Sequence, residues 1–215
     1  MNTRSHQLEM TVEPSQINDV TKAIFHTILF HRSTGKFTYQ HGNTFSVGSI
    51  GMEDVDCSTV DFTYIRCASR GLEQWVERHV VAFAQSLSGA ELPVSGQITL
   101  EFYERRKARW IIFADNLNWE VWRLKLNVVH IKTDAEWQQH QRRLAEELAE
   151  KVQYICWTVN RPDYLPKNPI QEDLTNVFNT HFTDVQPYLH NISHELTTET
   201  MGNTVRKLIR NTFAY

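Results

Sequence analysis

The residues of this chain best equipped for chemistry are three cysteines, ten histidines and one acidic run. Cys57 or Cys67, met in space by a histidine and an orienting partner, would make a thiolate nucleophile. His181, His190 and His194 stand near one another in the sequence and carry the imidazoles that hold zinc, while Glu53, Asp54, Asp56 and Asp61 gather the oxygens that hold calcium. Each set lacks its complement. The histidines have no cysteine or carboxylate at a recognised ligand spacing, and the carboxylates have neither the EF-hand spacing nor its closing Glu. The cysteines (Cys57, Cys67, Cys156) are widely separated and odd in number, which reads as free thiols in a reducing compartment. The sequence also has no glycine-rich phosphate loop, nucleophile elbow or His-Glu-x-x-His pair. We therefore expect no catalytic residue, no cofactor and no metal, with the histidines as polar or interface groups and the acidic run as a solvated loop.

The informative stretch is instead Leu100 to Trp122. Arg105, Arg106, Lys107 and Arg109 form a basic patch, followed at once by Trp110, Ile111, Ile112 and Phe113. Ala114-Asp115-Asn116 reads as a turn, which sets the apolar quartet at an exposed corner. Apolar side chains at such a corner bind something or fold back into the body. A basic approach suits either a protein partner or an anionic membrane surface met by the 105–113 loop.

The elements that must position this corner follow from periodicity. Ile98, Leu100 and Phe102 alternate with polar neighbours, as do Trp122, Leu124, Leu126 and Val128, so strands flank it on both sides. A further strand is expected over 6–13, and short ones at 36–40, 44–50 and 60–67. Helices are expected from Pro14 to His31, from about Gly71 to Leu87 behind a Ser69 cap, and from the Thr133–Glu136 capping box to Val159, with Trp137, Leu144, Leu148, Val152 and Ile155 inward. Residues 161–184 read as a surface-crossing segment with one short turn of helix near 173–178, and 185–193 as a returning strand. In the tail, 195–215, Val205, Leu208, Ile209 and Phe213 fall at helical spacing beside Arg206, Lys207 and Arg210, which predicts a C-terminal amphipathic helix that either closes the core or docks on a partner.

Composition sets the class. With 215 residues, 41% hydrophobic and 22% charged, the chain is expected to fold as one α+β domain over 1–215. A net charge of −3 gives no global attraction to nucleic acid. The stretch Met1 to Met10 is polar and alternating with no apolar h-region, and no run approaches the ~18 apolar residues of a membrane span, so a cytosolic or nuclear chain is expected.

Six strings, FHTILFHRSTGKF (25–37), DVDCSTVDFTYIR (54–66), LEFYERRKARW (100–110), WEVW (119–122), NRPDYLPKNP (160–169) and DVQPYL (184–189), in this order and spacing resemble the autophagy-related protein 101 family. The resemblance implies a HORMA fold, a central mainly antiparallel sheet with three main helices packed on it, in an open form without a C-terminal clasp. It implies a non-enzymatic scaffold required for autophagosome formation, cytoplasmic and at the phagophore assembly site. Its partners would be the HORMA domain of autophagy-related protein 13, which it pairs with and stabilises, and the autophagy-initiating kinase with that kinase's scaffold subunit. The family also has a protruding finger with a Trp and a Phe that recruits downstream autophagy factors. Trp110 matches that Trp, but the family's Trp-Pro-Phe is Trp110-Ile111-Ile112-Phe113 here, so either Ile112 or Phe113 replaces the Phe.

Overall fold

The computed structural model describes residues 3–41, 44–89, 94–106, 115–161, 164–198 and 205–209. Among them, one five-stranded sheet carries three long helices. Its strands are β1 (Arg4–Val12), β7 (Val94–Arg106), β8 (Asp115–Val128), β10 (His190–Thr198) and β11 (Val205–Ile209), in the order β1-β8-β7-β10-β11. β1 runs parallel to β8 and the other pairs are antiparallel. The helices are α1 (Ile17–His31), α2 (Arg70–Ser88) and α3 (Asp134–Val159). Smaller pieces complete the chain: β2 (Ser33–Thr34) with β9 (Gln186–Pro187), β3 (Phe37–Tyr39) with β4 (Phe45–Val47), β5 (Met52–Asp56) with β6 (Thr63–Cys67), and the single turn α4 (Leu174–Val177).

Strand alternation decides which face is covered. Leu8 and Met10 of β1, Leu124 and Leu126 of β8, Ile98 and Leu100 of β7 and Ile192 of β10 are buried on one face. The opposite face is polar and cross-linked between strands: Lys125 and Asn127 each donate to Glu9 at 2.8 Å, Ser95 to Asn127 at 2.7 Å and Gln97 to Glu195 at 3.1 Å. This is the pattern of an antiparallel-type sheet with one wet face.

α1 is the innermost helix. Its Ile17, Val20, Ile24, Phe25, Ile28 and Leu29 are all fully buried, and it packs against α2, α3 and β6. A helix apolar around most of its girth must be covered on most sides. The caps follow the sequence: the Ser69 hydroxyl accepts from the Leu72 amide at 3.3 Å and Thr133 from the Glu136 amide at 3.3 Å. α2 lies so close to β7 at Gly96 that a Cβ there would stand 2.9 Å from Leu87 and 3.0 Å from Phe83.

Four expectations are corrected. Trp137, expected inward, is 44% exposed, because it lies in the first turn of α3, away from the buried Leu144, Leu148 and Ile155. The acidic run is strand β5 rather than a loop: pairing with β6 satisfies its backbone, and its carboxylates face water or reach Arg66. Asp115 and Asn116 do not turn but open β8, paired with Arg106 and Arg105. The tail helix is replaced, over the described part of 195–215, by the end of β10 and by β11. Val205 and Ile209 satisfy the strand period as well as the helical one, and the edge of β10 supplies backbone partners that an isolated short helix lacks.

Candidate partner-binding surface

β7 and β8 outrun their neighbours. β10 pairs with β7 only from Ser95 to Phe102, and β1 with β8 only from Glu120 to Val128. The pairs Tyr103–Asn118, Glu104–Leu117, Arg105–Asn116 and Arg106–Asp115 continue with no strand on either side among the described residues. At roughly 3.3 Å per residue these pairs make a two-stranded stem on the order of 13 Å long. Residues 107–114 join its two ends.

A bulge marks where the stem leaves the sheet. Phe102 pairs with Glu120 but Tyr103 pairs with Asn118, so Trp119 is the extra residue. Bulges bend a strand and re-aim a side chain. Here the Trp119 indole turns into the body, 5.6 Å from the Phe102 ring and 5.3 Å from Tyr188.

Beside it sits a buried charge cluster. Glu120 is fully buried and accepts from Arg32 (Nη2 to Oε2, 2.8 Å), from Arg4 (2.6 Å) and from the indole N–H of Trp122. Arg32, at the C-cap of α1, also donates to the Val159 carbonyl at the end of α3 at 3.2 Å, a carbonyl that carries the negative end of the helix dipole. The Arg32 carbonyl accepts from the Tyr188 amide at 3.0 Å. Glu120 thus ties β1, β8 and α1 together under the stem, and Arg32 carries the tie on to α3. A buried charge is tolerated only when paired and hydrogen-bonded to this extent.

Polar contacts hold the stem itself. Tyr164 donates its hydroxyl to Glu104 at 3.2 Å, Leu189 accepts from the Tyr103 amide at 3.0 Å, and the Thr3 hydroxyl donates to the Asn118 carbonyl at 2.8 Å. The base is therefore fixed from several sides.

Some of the expected site residues fall in the stem and in β11, and others outside the described residues. Arg105 is exposed on the stem and Arg106 is the last residue of β7. Lys107, Arg109, Trp110, Ile111, Ile112 and Phe113 lie outside the described residues, as does Phe213. Val205, Leu208 and Ile209 belong to β11, opposite Thr198, Glu195 and His194.

The other chemical candidates separate. Burial pushes the Cys57 thiol up to about 12 and the Cys67 thiol to about 11, so neither supplies thiolate at neutral pH. His190 and His194 lie on the core face of β10, the first against Trp75 and Phe102 and the second against Phe83, while His181 sits exposed in a loop. Desolvation lowers His190 to about 4, and its Nδ1 lies 2.7 Å from the Tyr188 carbonyl, which fixes it as a neutral donor. Among the described residues no three His, Cys, Asp or Glu side chains come together as a metal-ion set, and no helix is long and apolar enough to cross a membrane.

The Arg4–Glu120–Arg32 cluster escaped sequence reasoning. Its members are separated by 116 and 88 residues, and although the period of Trp122, Leu124 and Leu126 puts Glu120 on the inward face of β8, no local pattern shows which distant arginines meet it.

Comparison with known proteins completes the assignment. The family model described as Autophagy-related protein 101 matches residues 9–172. Proteins named Autophagy-related protein 101 from Homo sapiens and Xenopus tropicalis are 42% and 41% identical over 218 aligned residues, covering 100% of this chain and 100% of each relative. One of that name from Arabidopsis thaliana is 28% identical over 153 residues, 70% of this chain and 65% of its own length. The chain belongs to the autophagy-related protein 101 family.

Proposed function

We propose that this chain is a non-enzymatic scaffold of HORMA architecture in the complex that initiates autophagy. It pairs with and stabilises the HORMA domain of autophagy-related protein 13, sits with the initiating kinase and that kinase's scaffold subunit, and recruits downstream factors through Trp110 and its neighbours. It acts in the cytoplasm at the phagophore assembly site. Family membership supports the autophagy role. Three long helices on one face of a mainly antiparallel sheet fit the HORMA reading, and β11, a simple edge strand beside β10, fits an open form.

The observation that carries the recruitment reading is the stem. Two paired strands running past their neighbours, braced at the base by Glu120, Tyr164 and Leu189, give residues 107–114 a rigid mount. A mount of this kind serves binding, because a site built on strands is held better than one on a free loop. Tryptophan is also a residue type that dominates contact energies at protein interfaces.

The test is co-purification of the full chain with the HORMA domain of autophagy-related protein 13, read by size-exclusion chromatography. A one-to-one complex is expected, and two separate peaks at micromolar concentration would refute the pairing. Flotation with anionic vesicles tests the rival use of the tip. Salt-sensitive flotation of the isolated chain, lost on Trp110→Ala, would replace protein recruitment by membrane docking.

A further inference from the structure

The hairpin of β5 and β6 is a two-stranded sheet of its own, packed on α1 through β6. Its register makes Gly51–Ala68 and Cys57–Phe62 hydrogen-bonded pairs, with the Ala68 amide donating to Gly51 at 2.8 Å and the Cys57 amide to Phe62 at 2.9 Å. Pairs alternate in an antiparallel ladder, so Glu53 and Val55 bond to β6 while Met52, Asp54 and Asp56 point their N–H and C=O groups away from it. β6 is the only strand paired with β5 among the described residues. The three outward residues are exposed, Met52 to 69%. β5 is therefore an open edge.

The side chains at that edge are patterned. Met52, Asp54 and Asp56 share the outer face with Thr63 and Ile65, the last 44% exposed and directly opposite Asp54. The one arginine of the hairpin, Arg66, is on the other face, held by Glu53 at 2.7 Å and Glu73 at 2.6 Å. Neither Asp54 nor Asp56 has an ion-pair partner among the described residues; Asp56 accepts only from the Thr63 hydroxyl at 2.6 Å. An edge with no proline or bulge is ordinarily a hazard, and carboxylates along it decide what can pair there.

We infer that the outer edge of β5 is a docking site for an extended segment of a partner protein that alternates basic and apolar residues and adds as a third strand. Backbone groups of Met52, Asp54 and Asp56 supply the ladder, the carboxylates of Asp54 and Asp56 select the lysine or arginine side chains that share their face, and the alternate apolar side chains fall on the opposite face, beside Val55. A second copy of this chain is the wrong occupant. Pairing β5 with β5 would set Asp54 and Asp56 of one copy beside the same carboxylates of the other, and like charges opposite one another destabilise a ladder. The site is remote in sequence from 107–114, and the inference does not rest on the pairing proposed above.

Fluorescence anisotropy of the full chain with a labelled peptide of alternating lysine and valine, long enough to span β5, tests it against a glutamate–valine peptide. The basic peptide should bind at least about tenfold more tightly, and Asp54→Lys with Asp56→Lys should reverse that order. Asp54→Pro removes one outward N–H without touching the β6 ladder and should abolish binding. Should that variant fail to fold, amide exchange of the wild type decides, with the Met52, Asp54 and Asp56 amides slowing when the basic peptide is added. Equal binding of both peptides, an unchanged order in the lysine variant, or no slowing of those amides overturns the inference.

Discussion

Arg32 and Glu120 meet in the interior of this protein, 2.8 Å apart with side chains 3% and 0% exposed, and their contact fixes the end of α1 to the strand that carries the stem. Removing one partner leaves the other charge buried and unpaired. Arg32→Ala or Glu120→Ala should cost about 3–5 kcal/mol in urea unfolding. Arg4→Ala, at a half-open position 19% exposed, should cost clearly less. Equal losses for Arg4 and Arg32 would mean that burial does not set the energy of this cluster.

Two buried histidines predict acid sensitivity. Desolvation first, then nearby Arg66 and Lys22, brings His26 to about 3, and desolvation brings His190 to about 4, both below the ordinary 6.5. Between those values and 6.5 the unfolded chain binds protons that the folded chain does not. Their contribution is full above about pH 6.5 and falls by about 1.4 kcal/mol per pH unit for each histidine on the way down. Asp19, held low by Thr59 and Ser58 against its own desolvation, adds no slope until the pH nears the ordinary aspartate value. Burial lowers His31, His79, His140 and His194 as well, so urea midpoints measured from pH 7.5 to 5 should drop, and His26→Gln should make that drop shallower without abolishing it.

Gly35 is required by backbone proximity. A Cβ on it would lie 1.9 Å from the Gly48 carbonyl oxygen, at the base of the β3–β4 hairpin where the Gly48 amide donates to Lys36 at 2.9 Å. Gly35→Ala should destabilise by about 1–3 kcal/mol, as overpacking does. Hydrogen exchange should rise in 36–48 while β7 and β8 stay protected.

The thiols should be sluggish. With burial raising Cys57 and Cys67 far above neutral pH, alkylation of the native protein at pH 7.5 should run at least about tenfold slower than in urea. Fast alkylation of either cysteine would revive a thiolate chemistry for this chain.

Much of the architecture was legible because local signals agreed with the global fold. Ser69 and Thr133 cap α2 and α3, and the apolar spacing of Ile17 to Leu29 announced a helix with a wide apolar stripe for the core. Strand alternation identified the flanks of the 105–113 region, but not that β7 and β8 run on to Arg106 and Asp115, since charged and polar residues there carry no core-facing period. β5 was hidden by its carboxylates for the same reason. β11 was misread because Val205 and Ile209 fit both periods, and only the edge of β10 distinguishes them. The cluster around Glu120 depends on contacts across most of the chain, which no local pattern encodes.

Affinity purification of the full chain from cells, with partners quantified by mass spectrometry, tests the central claim most directly when wild type is run beside the Trp110→Ala and Phe113→Ala double variant. The account predicts that the second HORMA subunit and the kinase are recovered at wild-type ratios while downstream autophagy factors are lost. Downstream factors retained at the wild-type ratio, or all partners lost together with the fold, would contradict it.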